Sequence, residues 1–129
     1  MPSDNPTPIA PGNDVAFPQN GVIANTNIGR TSDTEFLLNA TGTYLVMWNA
    51  TLAEAGQLTL TVNGVESPST VVGTGTADGE IVGFTIINIT DAATVTVRNP
   101  VVNTTDLTLT PNAGGTAPVS AHLTIVQLA

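Results

Sequence analysis

The sequence predicts an all-β protein, a sandwich of two sheets that assembles with copies of itself through one of them. Three observations carry this reading. Apolar and polar residues alternate in short runs bounded by Gly, Pro, Asn and Asp, and no helix-length 3.6-residue period occurs. Charged residues make up 9%, against about 25% in an average domain, while hydrophobic residues reach 41%. Three segments are apolar on both faces, so both of their sides must be covered. The length of 129 residues fits one domain and buries roughly two-thirds of the unfolded surface.

Taken in chain order, residues 1–14 ("MPSDNPTPIAPGND") are rich in Pro, Asn and Asp and read as a flexible, extended arm. The sandwich domain is expected over residues 15–129. In "QLTLTVNGVE", Leu58, Leu60 and Val62 alternate with Thr59, Thr61 and Asn63, and Asn63-Gly64 predicts a type I′ hairpin turn. "GTGTADG" at residues 73–79 reads as a flexible loop, because no lysine or helix follows to make a phosphate site. "TVTVRNP" sets Val95 and Val97 against Thr94, Thr96 and Arg98, and Pro100 ends it. "DLTLTPN" predicts a further strand, with Leu107 and Leu109 opposite Thr108 and Thr110. These one-sided strands should form the sheet that faces solvent.

The two-sided segments differ. "TYLVMWNATL" puts Tyr44, Val46, Trp48 and Ala50 on one face and Leu45 and Met47 on the other. "EIVGFTIINI" puts Val82, Phe84 and Ile86 opposite Ile81, Ile87 and Ile89. The final run, "APVSAHLTIVQLA", puts Val119, Ala121, Leu123 and Ile125 on one face. Its other face begins with Ser120, His122 and Thr124 and turns apolar at Val126 and Leu128. With no helix to cover the outer face of this sheet, the simplest cover is another copy of the chain.

Composition excludes several function classes. Arg30 and Arg98 are the only basic residues in a chain of net charge −8, too few to displace counterions from nucleic acid or to hold an anionic membrane surface. With no cysteine there is no thiolate nucleophile, zinc-thiolate site or disulfide. The N-terminus lacks the basic and apolar regions of a secretory signal, and no apolar run is long enough to span a bilayer. His122 shares a strand face with Ser120, but Cα atoms about 7 Å apart and no neighbouring carboxylate argue against catalysis. Asp78 with Glu80, and Asp33 with Glu35, lack calcium-loop spacing and read as turns or solvated faces. The N-x-Thr triplets at Asn39, Asn49, Asn88 and Asn103 reflect a composition rich in both residues. Tyr44 and Trp48 are expected in the core, with a carbohydrate platform as the functional alternative. No enzyme activity, metal or cofactor is expected.

"TEFLLNATGTYLVMWNAT", "QLTLTVNG", "TVTVRNP" and "APVSAHLTIVQL" resemble the C-terminal head of BclA-like, collagen-like proteins of the bacterial spore surface. Those heads group with complement one-q and tumour necrosis factor jelly rolls. The resemblance spans residues 15–128 and implies a jelly roll that forms a trimer, with the last strand central in the sheet nearest the threefold axis. His122, Thr124, Val126, Leu128, Leu45 and Met47 would face that axis, and protonation of His122 among its symmetry mates would make assembly pH-sensitive. The Gly-X-Y repeats of the family's stalks are absent from these residues. The expected role is a structural subunit at the spore surface or exosporium, outside the cell. Its partners would be itself and a spore-surface anchoring protein. Pro6, Pro8, Ile9 and Pro11 in the arm would couple trimers head to tail into an appendage fibre. A trimeric knob binding a surface ligand or glycan, and a phage spike, are the alternatives.

Overall fold

The computed structural model describes residues 5–129 as two antiparallel sheets packed face to face. With strands numbered in chain order, the first sheet runs β1 (Ile28–Arg30), β2 (Phe36–Leu38), β8 (Ala93–Arg98), β4 (Gly56–Val62), β5 (Val65–Glu66), and β6 (Val72–Thr74) also pairs with β4. The second sheet has the order β7 (Gly79–Ile89), β3 (Gly42–Leu52), β9 (His122–Gln127). Its three strands are the three segments that the sequence shows to be apolar on both sides.

Strand periodicity sets the core. Tyr44, Val46, Trp48, Ala50 and Leu52 of β3 point inward against Leu58 and Leu60 of β4 and Val95 and Val97 of β8, all of them buried. Tyr44 keeps its hydroxyl satisfied by donating to the Ala40 carbonyl at 2.7 Å. With Tyr44 and Trp48 both buried, neither offers a platform for a sugar. On β7, Ile81, Gly83, Thr85, Ile87 and Ile89 share the inward face. Gly83 stands opposite Trp48 in the ladder, and a Cβ there would collide with the indole ring. The missing side chain is therefore the space that the Trp48 ring fills. The hairpin turn is as expected: Asn63 and Gly64 have φ of 51° and 77°, the left-handed pair of a type I′ turn.

Five expectations need correction. β9 is an edge strand, because β3 takes the centre and the chain at 19–26 runs past β9 exposed and outside any strand. The threonine face of the first sheet does not meet solvent: Thr59, Thr61 and Thr96 are buried. Thr70, in the 3-10 turn Pro68–Thr70, covers Thr59 at 3.0 Å. Thr61 and Thr96 join hydroxyls at 2.7 Å, and Thr96 donates to Asp14 at 2.8 Å. "DLTLTPN" is not a strand of either sheet. It makes single bridges, Leu107 to Ile9 and Leu109 to Leu52, and closes the end of the sandwich. Part of "GTGTADG" is ordered as β6, where Gly73 packs closely on Gly56 and Gln57.

The fifth correction concerns the arm. Residues 1–4 lie outside the described residues, but from Asn5 onward the chain is laid on its own protomer. Ile9 is buried and exchanges two backbone hydrogen bonds with Leu107, at 2.7 and 3.0 Å. The fully buried Asn99 amide donates to the Ile9 carbonyl at 2.9 Å and to the Thr105 carbonyl at 3.0 Å. Further on, Val15 donates to Val97 and Asn99 to Asn13, so residues 13–15 extend the first sheet alongside β8. Arg98 pairs with Asp14 at 2.7 Å, and that hydrogen bond pushes the guanidinium pKa further up. Proline-rich composition thus marks an extended segment whose backbone needs few partners, and here one apolar side chain, Ile9, pins it down.

Substituting Gly83→Val should destabilise the fold by about 1–3 kcal/mol through overpacking on Trp48. The check is a lower urea midpoint at unchanged slope.

Candidate functional site

The second sheet leaves its outer face uncovered. Strand register arranges that face as three rows running across β7, β3 and β9. Ile86, Leu45 and Val126 form one row, Phe84, Met47 and Thr124 the next, and Val82, Asn49 and His122 the third. Phe84 is 74% exposed, Ile86 62%, Val82 59%, Leu128 51%, Val126 42% and Met47 39%; these six decide the character of the face. Contiguous exposed apolar side chains of this size are unusual on a lone protein surface.

The residues expected at an interface fall on this face. His122, Thr124 and Val126 of β9 point outward, with Met47 and the half-buried Leu45 of β3 beside them and Leu128 beyond the strand end. The sequence reading did not single out Val82, Phe84 and Ile86, which are its most exposed members. Both faces of β7 are apolar, so hydropathy could not say which was outer. The signal that could have decided it is Gly83, a residue with no side chain on a face where a tryptophan needs room.

In the third row Asn49 and His122 are polar and connected. The Asn49 amide donates to Glu80 at 3.0 Å, which leaves its Oδ1 facing His122 Nδ1 at 3.1 Å. That orientation requires the proton on Nδ1 when the ring is neutral. The fold therefore brings a carboxylate into line with His122 that is distant in sequence. The arrangement orients the imidazole along the sheet surface. Among the described residues, no three His, Asp or Glu side chains gather so as to hold a metal ion. Asp33 sits 3.6 Å from Arg30, and Glu35 accepts from Thr31 at 2.8 Å, both as surface pairs.

Beside the free edge of β9 lies a groove of about 710 Å³, between that strand and residues 17–25. Val22, Ile23, Ile28, Phe36, Leu123 and Ile125 give it an apolar lining. The arm residues lie elsewhere: Ile9 is inside its own protomer, while Pro6, Pro8 and Pro11 flank it at the surface.

Residues 7–129, which include both sheets, match the family model of the BclA C-terminal domain. The chain belongs to the BclA C-terminal domain family. The match covers nearly the whole chain and starts within the proline-rich segment, so Ile9 and its partner Leu107 are both parts of the BclA head. A search of curated proteins finds no match. BclA-type heads are structural domains of the spore surface, which points to an extracellular setting for this one.

Proposed function

We propose that this BclA-type head is a non-enzymatic structural subunit of a bacterial spore-surface structure. It assembles as a homotrimer through the outer face of β7, β3 and β9, and the trimers stack head to tail into an appendage through the N-terminal segment. One observation carries the reading: the apolar face formed by Leu45, Met47, Val82, Phe84, Ile86, Val126 and Leu128. Burial of such a face is favourable by roughly 25 cal/mol per Å² of apolar surface. Like surfaces of three copies can cover one another around a closed axis. A spore-surface anchoring protein at the base of such a stack is the heterologous partner of this reading.

A second reading has one observation in its favour, the apolar groove beside β9. There the trimer is a knob that binds a surface ligand. An apolar lining suits an extended apolar segment better than a sugar, so a glycan array with the purified trimer should give no specific signal.

Val126→Asp or Leu128→Asp should convert trimers to folded monomers. An unpaired buried charge costs about 3–5 kcal/mol, more than about a hundredfold in association. Light scattering with circular dichroism checks this, and retained trimers would place the interface on another face.

His122 faces outward beside Asn49, whose amide donates to Glu80. In a trimer built on this face, His122→Arg places three fixed like charges around one axis and should weaken the trimer. Unchanged trimer stability by light scattering would remove His122 from the axis.

Electron microscopy of the chain with and without residues 2–13 tests the stacking role. Fibres should form with the segment present and vanish without it. Persistent fibres would assign the coupling to other residues.

A further inference from the structure

The segment proposed to couple trimers is already occupied. Residues 5–17 lie in a groove of their own protomer, with Ile9, Val15 and Phe17 buried. Ile9 and Leu107 exchange backbone hydrogen bonds, Asn99 donates to the Ile9 carbonyl, and Asp14 takes Arg98 and Thr96. A segment held this way contacts a neighbour through Ile9 only after leaving the groove. If every chain in a stack gives up its segment, every chain also exposes the groove left behind. That groove is complementary to one thing shown in the structure, namely residues 5–17 of the same sequence.

We propose that the N-terminal strand is exchanged between trimers, with residues 5–17 of one chain filling the groove around Asn99 and Leu107 of a chain in the next trimer. The inference rests on the stacking role proposed above and identifies its receptor. Exchange re-forms each contact in trans with the same partners, so little contact energy separates the closed and exchanged states. The prolines at 6, 8 and 11 keep the strand extended when it is undocked, which lowers the ordering cost of docking again.

The hinge is residues 18–26. This stretch belongs to no strand, and Gln19 to Thr26 are exposed, Val22 at 98%. It lines the groove beside β9 and is held near its two ends, where Arg30 donates to the Gln19 carbonyl and to Asn20 Oδ1 and Asn39 donates to the Thr26 carbonyl. Nine extended residues span about 30 Å, enough to carry the strand onto an adjacent molecule.

The absence of cysteine makes a clean test possible. Ile9 and Leu107 are a hydrogen-bonded antiparallel pair, whose Cα separation of about 5.5 Å suits a disulfide. The double variant Ile9→Cys, Leu107→Cys is oxidised either before or after fibre assembly and run on a denaturing, non-reducing gel. Oxidation beforehand should lock the strand at home and give monomer bands and trimers that form no fibres. Oxidation of fibres assembled under reducing conditions should give a ladder extending beyond three chains. Fibres that yield only monomer bands, or bands no larger than trimer, would overturn exchange between trimers while leaving the stacking role intact. No fibres from wild type or the reduced variant would overturn the stacking role and the exchange with it. Should the buried pair impair folding, Asp14→Cys with Arg98→Cys, a half-buried bridged pair on the same strand, is read out in the same way.

Discussion

The contact between Trp48 and Gly83 governs how the second sheet presents itself. A strand alternates its side chains, so fixing one residue inward fixes all the others. Trp48 turns into the core with Tyr44 and Val46, and its ring occupies the space over Gly83. With Gly83 facing inward, Val82, Phe84 and Ile86 must face outward. Had β7 slipped by one residue against β3, Phe84 would compete with Trp48 for the core. The apolar outer face is thus a consequence of how the inner face packs.

The first sheet solves the opposite problem. Its outer face carries threonines, and the fold buries several of them under its own chain rather than under a partner. Their hydroxyls are joined in pairs, Thr59 with Thr70 and Thr61 with Thr96, so burial leaves those groups hydrogen-bonded and inexpensive. Asp14 extends the network to Arg98. With so few charges in the chain, this ion pair is spent on holding an N-terminal strand in place. Arg30 is likewise engaged, with Asn20 at 2.6 Å and stacked over Phe36. Both arginines are therefore engaged within the protomer.

The two sheets thus divide the work. One is sealed by the chain itself, through the 3-10 turn and the N-terminal strand. The other is left open, apolar in two rows, while in the third Asn49 beside Val82 links His122 to Glu80 through hydrogen bonds. The match to the BclA C-terminal domain family extends across both sheets and the N-terminal strand from residue 7.

By itself the sequence determined the all-β class, the turn at Asn63-Gly64, the three strands apolar on both sides, and which residues of β3 and of β9 share a face. Alternation and turn chemistry are local, and they can be read along the chain. Only the tertiary structure decided which face of β7 is outer, that β9 lies at an edge, that Thr59, Thr61 and Thr96 are covered, and that Ile9 is pinned to Leu107. Each of these depends on a partner distant in the chain: Trp48 for Gly83, Thr70 for Thr59, Asp14 for Thr96, Leu107 for Ile9. Alternation reports that a side needs cover, but what supplies the cover is set by which segments the fold brings together.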